Sequence, residues 1–143
     1  MIPILSLLSR PSGDGRQFPE PGRWRVLVVE DELILGAVAA EALEEAGFAV
    51  LTAASAEEAE VILSHEAVDV LFTDIDLGGR DGCDLAARAL DMQPGLCVVF
   101  TSGRSRRYHE SRLPAGAPFL AKPYRLSQLI DEIDRVSQEP SRR

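Results

Sequence analysis

Short, continuous apolar runs alternate along this chain with segments of helical periodicity, and that alternation leaves few architectures open. "RVLVV" (25–29), "VDVLFT" (68–73) and "LCVVF" (96–100) are too short for buried helices and too uniformly apolar for strands with one wet face. They read as strands covered on both sides, and "FAVLTA" (48–53) and "PFLAK" (118–122) complete a set of five. Between the first two strands, Leu35, Val38, Ala39, Ala42 and Ala46 fall at helical spacing, closed by Gly47 where a left-handed cap is favoured. Ser55 with Glu58 three residues on is a capping box opening a helix through His65. "DLAARALDM" is a third helix stopped before Pro94, and Leu126, Leu129, Ile130, Ile133 and Val136 mark an amphipathic last one. Between Gly103 and Pro118 only Tyr108 and Leu113 are large and apolar, so a short or mobile helix is expected there.

Strict alternation implies an α/β fold with a parallel sheet and helices on both faces, because every parallel connection needs a crossover. Right-handed crossovers bring the C-terminal ends of all five strands to one edge, where open α/β sheets bind their ligands. The polar residues placed at that edge are Glu30 and Asp31 after the first strand and Asp74 after the third. Asp76 lies two positions beyond Asp74, Thr101 and Ser102 follow the fourth strand, and Lys122 follows the fifth.

Crowded carboxylates repel and would hold protons unless a cation compensated them. Oxygen ligands alone select a hard ion, and a few carboxylates with waters and a phosphoryl oxygen suit Mg²⁺. In that setting Asp74 can attack phosphorus to form an acyl phosphate. Lys122 supplies a point charge against the phosphoryl oxygens, and a hydroxyl at the end of the fourth strand can donate a hydrogen bond to one of them.

Composition narrows the classes further. At 143 residues the chain suits one domain, and 45% hydrophobic with 27% charged residues is the balance of a soluble globular protein. The net charge is −8, but residues 1–23 and 137–143 each contribute +1, so the middle carries −10. An acidic body is a poor direct partner for nucleic acid, and no apolar run is long enough for a membrane span. Cys83 and Cys97 have neither metal nor redox spacing, so a reducing, cytoplasmic compartment is expected. The N-terminal stretch has no basic region before its apolar residues and no small-residue cleavage site after them. Its prolines and glycines point to a flexible tail over 1–23, with a second short tail over 138–143.

"VLVVEDE", "VLFTDIDLGGRDG", "VVFTSG" and "PFLAKPY" together resemble the receiver domain of bacterial two-component response regulators, over roughly residues 24 to 137. The resemblance implies a doubly wound (βα)5, flavodoxin-like fold with a five-stranded parallel sheet in the order 2-1-3-4-5. It implies Mg²⁺ held by Asp31 and Asp74, with Glu30 acting partly through water and Asp76 through its backbone carbonyl. It implies phosphorylation of Asp74 by a histidine kinase or a histidine phosphotransfer protein. The family places its Ser or Thr before a small residue, which favours Ser102 over Thr101. The family's switch aromatic lies on the fifth strand, where this chain has Phe119. "FTSG" with "PFLAKPY" also matches in part a proteobacterial receiver subgroup with a Phe-Ala-Thr-Gly-type motif. With no output domain after residue 143, the expected output is contact with a downstream protein, as a monomer or a phosphorylation-dependent dimer, rather than turnover of an external substrate. "GRSRRYHESR" places Arg104, Arg106, Arg107 and Arg112 on an acidic protein, either as a solvated loop or as a docking site for an acidic surface.

Other assignments were weighed. A haloacid-dehalogenase-type phosphatase also uses Asp-x-Asp after an apolar strand, making Asp74 nucleophile and Asp76 acid/base. Its metal-binding acids come last in the chain, whereas Glu30 and Asp31 come first. His65 lacks the continuation of a kinase phosphoacceptor and reads as an exposed residue at a helix end, where it complements the dipole. His109 reads as a lone histidine in a polar loop. A receiver that binds partners without phosphorylation would usually lack a catalytic residue, and none is missing here.

Overall fold

The computed structural model describes residues 23–138, so nearly all of the N-terminal tail and most of the C-terminal one lie outside the described residues. Five parallel strands form the sheet: β1 (Arg25–Val29), β2 (Ala49–Ala53), β3 (Val70–Asp74), β6 (Cys97–Ser102) and β7 (Phe119–Ala121). Four helices connect or follow them: α1 (Leu33–Glu45), α2 (Ala56–His65), α3 (Gly82–Met92) and α4 (Leu126–Ser137). A small antiparallel ribbon, β4 (Asp76–Leu77) with β5 (Arg80–Asp81), turns around Gly78, which adopts φ +82. The sheet order is β2-β1-β3-β6-β7, which is 2-1-3-4-5 when the ribbon is counted apart.

Alternation along the strands divides the core. Val26, Val28, Val70 and Phe72 face Ala39 and Leu43 of α1 and Leu129, Ile133 and Val136 of α4. Leu27, Val29 and Leu71 face the other way, against Ala56, Ala59 and Leu63 of α2 and Leu85, Ala86 and Ala89 of α3. A sheet buried on both faces explains why its strands read as unbroken apolar runs. Truncating a central residue such as the fully buried Leu71 to alanine would cost about 2–5 kcal/mol.

α1 departs from its expected stripe. Its buried face is Gly36, Ala39 and Leu43, while Leu35 and Val38 are each 42% exposed, as are Leu33 and Ile34 to a greater degree. The helix is apolar on nearly every side, so spacing alone could not tell which side met the sheet. α2 starts as expected, with Ser55 Oγ accepting from Glu58 N–H at 3.1 Å, although Glu58 reaches back to the N–H of Ala54 rather than to that of Ser55. Gly47 adopts φ +106 after α1, the conformation for which a glycine was expected.

Where a fourth crossover helix would lie, the chain makes one 3₁₀ turn, Arg106–His109, begun by Ser105 Oγ accepting from Tyr108 N–H. Leu113 and His109 pin this segment to the body. His109, read as a lone histidine in a polar loop, ends the 3₁₀ turn and is only 2% exposed.

Candidate functional site

The sheet reverses direction of winding between β1 and β3, and the crevice at their C-terminal ends is where a ligand belongs in such a fold. β1 delivers Glu30 there, 6% exposed, followed by the exposed Asp31. β3 delivers Asp74, 4% exposed. Carboxylate oxygens of Glu30, Asp31 and Asp74 lie within 4.8 Å of one another. Gly36 of α1 packs against Glu30, where a Cβ would reach ordinary contact at 3.4 Å from Glu30 Cβ.

Lys122 comes from the far end of the sheet. Its Nζ donates to Asp74 Oδ2 at 2.9 Å and lies 3.0 Å from Glu30 Oε1, joining residues 92 positions apart in sequence. Burial works against the ammonium, but hydrogen bonds to Asp74 and Glu30 outweigh it and hold Lys122 above its ordinary pKa. Burial likewise pushes the Glu30 carboxyl above its ordinary value, with the Lys122 hydrogen bond opposing and the Asp74 charge reinforcing. One ammonium facing three carboxylates leaves the crevice anionic, and every ligand atom it offers is oxygen. The second oxygen of Asp74, Oδ1, accepts from the backbone N–H of Asp76 at 3.1 Å.

The two candidate hydroxyls separate cleanly. Thr101 Oγ1 donates to the Leu120 carbonyl at 2.7 Å and is a buried tie between β6 and β7. Ser102 Oγ instead meets the Asp76 carboxylate at 2.9 Å, two residues beyond Asp74. Thus Ser102 is the hydroxyl beside the carboxylate segment, and Thr101 serves the sheet.

Residues 26–134 match the response regulator receiver domain family. The chain belongs to that family. It is 32% identical over 114 residues to the response regulator receiver protein CpdR of Brucella abortus (strain 2308), covering 78% of this chain and 95% of that one. It is 32% identical over 112 residues to the transcriptional regulatory protein PdtaR of Mycobacterium tuberculosis (strain CDC 1551 / Oshkosh), covering 77% of this chain but only 55% of that one. A CheY-like receiver domain structure from Methanospirillum hungatei JF-1 superposes with a TM-score of 0.74 at 26% identity, over 80% of this chain and 93% of that one.

In this receiver Phe119 sits half-buried on β7, its ring 6.0 Å from the Arg106 guanidinium, which also donates to the Ala117 carbonyl at 2.6 Å. Arg104 stacks over the Tyr108 ring at 4.3 Å, so part of the basic segment is held rather than loose. Arg112 pairs with Asp81, the residue that caps α3. The Asp76 side chain is committed to Ser102. His65 ends α2 as an exposed residue whose Nδ1 lies 2.9 Å from the Val61 carbonyl.

Two residues near the site were not picked out from the sequence. Gly82 opens α3 with its N–H on the Ile75 carbonyl at 2.8 Å, and a Cβ there would lie 2.1 Å from the Asp74 carbonyl oxygen. The Asp-Gly pair at 81–82 signalled a turn but not this close approach. His109 places Nε2 3.0 Å from Ser102 Oγ, and no periodic pattern in a polar stretch announces a histidine buried by a partner seven residues upstream.

Proposed function

We propose that this receiver, formed by residues 24–137, accepts a phosphoryl group on Asp74 from the phosphohistidine of a histidine kinase or histidine phosphotransfer protein, and signals through protein contacts. The observation that carries this reading is the Lys122 ammonium, 2.9 Å from Asp74 Oδ2 and 3.0 Å from Glu30 Oε1. A buried carboxylate hydrogen-bonded to a fixed cation is held in one orientation, which is what a nucleophile toward phosphorus needs. A carboxylate oxygen of Asp74 forms the new bond to phosphorus, the donor's P–N bond breaks, and Lys122 remains to balance charge on the phosphoryl oxygens.

The carboxylate set fits Mg²⁺, with Asp31 and Asp74 as ligands, Glu30 acting through water and Asp76 contributing its backbone carbonyl. When bound, Mg²⁺ neutralises the crowded carboxylates and the incoming phosphoryl oxygens. Ser102 donates to a phosphoryl oxygen once the acyl phosphate exists, and Phe119 moves with it.

The family relationship supports a cytoplasmic regulator that takes part in a phosphorelay. Leu35 and Val38 of α1 line a groove with Lys122 and Leu126, and together with the exposed Leu33 and Ile34 they suit docking of a phosphodonor's helices. The basic segment with Arg104, Arg107 and Tyr108 at the surface suits an acidic downstream partner.

Intact-mass spectrometry after incubation with acetyl phosphate tests the assignment. A single Mg²⁺-dependent phosphoryl adduct on the wild type and none on Asp74→Asn is expected. An adduct that survives in Asp74→Asn removes Asp74 from its role. Turnover of acetyl phosphate without any adduct points to a phosphatase, and complete inertness points to a binding module that works without phosphorylation.

A further inference from the structure

The Ser102 hydroxyl sits in a saturated hydrogen-bond cluster. Its oxygen lies 2.9 Å from Asp76 Oδ2, 3.0 Å from His109 Nε2, and 2.9 Å from the backbone N–H of Arg104. A hydroxyl has one hydrogen and two lone pairs, while a carboxylate can only accept. If the hydrogen pointed to His109, two acceptor oxygens would face each other across the Ser102–Asp76 contact. The hydrogen therefore goes to Asp76, Arg104 N–H fills one lone pair, and His109 fills the other with a hydrogen carried on Nε2. His109 Nδ1 then faces the interior without a hydrogen-bond partner among the described residues. Among the described residues this buried ring makes one hydrogen bond, to Ser102.

His109 also organises the chain around it. Its carbonyl accepts from the N–H groups of Arg112 at 2.9 Å and Leu113 at 3.1 Å, closing the turn that follows the 3₁₀ segment. Its ring meets Tyr108 edge-on at 5.0 Å, and Tyr108 carries Arg104. The turn that replaces the fourth crossover helix is thus held by the buried His109 ring and Leu113, beside Arg106 on the Ala117 carbonyl and Arg112 on Asp81.

We propose that His109 is a positioning residue for Ser102 and the link that carries phosphorylation of Asp74 into the basic turn. This inference rests on the proposed role of Asp74. The single hydrogen of Ser102 cannot serve both Asp76 and a phosphoryl oxygen. Turning the hydrogen to a phosphoryl oxygen takes it from Asp76, and the side-chain rotation that carries the Ser102 oxygen to the phosphoryl group draws its lone pairs away from the His109 ring, which then loses its partner among the described residues. An unpaired buried ring is unfavourable, so the 104–113 segment opens toward water, where the ring nitrogens and the segment's N–H groups find new partners. Local charge chemistry at Asp74 is thereby converted to a change in the surface carrying Arg104, Arg107 and Tyr108.

Amide hydrogen exchange by mass spectrometry, with and without Mg²⁺ and fluoroberyllate as the acyl-phosphate mimic, tests the link, and ¹⁹F NMR reports bound fluoroberyllate independently. In the wild type, exchange over 104–113 should rise about tenfold when the mimic binds. In His109→Leu the mimic should still bind, but exchange over 104–113 should already be fast and should not respond. His109→Gln, which returns an N–H donor near the position of Nε2, should restore most of the response, which filling space alone would not do. Should His109→Leu fail to fold, Ser102→Ala is the substitute and should show the same fast, unresponsive segment. A wild type that binds the mimic with no change over 104–113 overturns the link alone, as does a variant that keeps the full response. No bound ¹⁹F signal in the wild type overturns the Asp74 assignment and the link with it.

Discussion

Replacing Gly82 by alanine asks whether the approach of α3 to the end of β3 shapes the site. A Cβ at this position would lie 2.1 Å from the Asp74 carbonyl oxygen, 2.8 Å from Ile75 Cα and 3.0 Å from the Asp74 carbonyl carbon. All three are backbone atoms, so no side chain can rotate away. Helix or strand end must move by more than an ångström before ordinary contact at 3.4 Å is reached. Alanine is the better helix former by about 1 kcal/mol, so propensity alone favours the variant. Overpacking costs about 1–3 kcal/mol where side chains can yield, and a clash against backbone belongs at or above the top of that range. The expected balance is a loss of about 2 kcal/mol, which for a domain of this size lowers the melting temperature by roughly 10 °C. Because the displaced atoms include the Asp74 carbonyl, uptake from acetyl phosphate should slow as well. Thermal unfolding by circular dichroism measures the first effect and intact mass the second, with Gly79→Ala as control, since a Cβ there meets nothing within 4 Å. A Gly82→Ala protein as stable as the wild type, phosphorylated at the same rate, would refute the packing argument.

Other substitutions test separate parts of the site. Lys122→Ala leaves Glu30 and Asp74 buried without their cation and should cost about 3 kcal/mol, less than a fully buried pair because the Lys122 side chain is 20% exposed. Added Mg²⁺ should recover part of that loss in a thermal scan, while phosphorylation stays impaired; a variant as stable and as readily phosphorylated as the wild type removes Lys122 from the proposed role. Thr101→Val should destabilise by about 1–2 kcal/mol through the lost bond to Leu120 and leave phosphorylation intact, and a phosphorylation defect greater than that of Ser102→Ala would reverse the assignment of the two hydroxyls. Hydrogen bonding to Arg80, ahead of burial and the Arg88 bond, holds the Glu60 carboxyl below its ordinary value. Its stabilisation is therefore present above the unfolded-state pKa and lost as pH falls through the folded-state one, so Arg80→Ala should lower stability at pH 7 and have no effect near pH 2; urea midpoints at both pH values would show the difference.

Much of this molecule was legible because the buried parallel sheet leaves a direct trace. β1 falls on "RVLVV" without adjustment, and Glu30, Asp74, Ser102 and Lys122 stand at or just after the ends of β1, β3, β6 and β7. Glu30, Asp31, Asp74 and Lys122 meet because topology alone dictates that they must. The side of α1 that packs inward was not legible, because Leu35 and Val38 are as apolar as the Gly36, Ala39 and Leu43 that the sheet selected. Strand alternation alone could not tell which of Thr101 and Ser102 faced Leu120, since the two hydroxyls are chemically alike, and only the small residue that follows Ser102 favoured it. His109 was hidden for a different reason: its burial depends on one polar contact across a turn, which neither periodicity nor hydropathy records.

The span between Glu30 and Lys122 has a consequence for how the protein is made. β1, β2 and β3 already gather three carboxylates at one edge, yet their compensating ammonium lies beyond β7, 92 residues after Glu30. A nascent chain therefore meets its strongest internal repulsion early and acquires its own remedy late, after β6 has paired with β3 and β7 with β6. Any C-terminal truncation that removes residue 122 takes away more than the last helix. It leaves an anionic crevice whose closure depends on cations from solution.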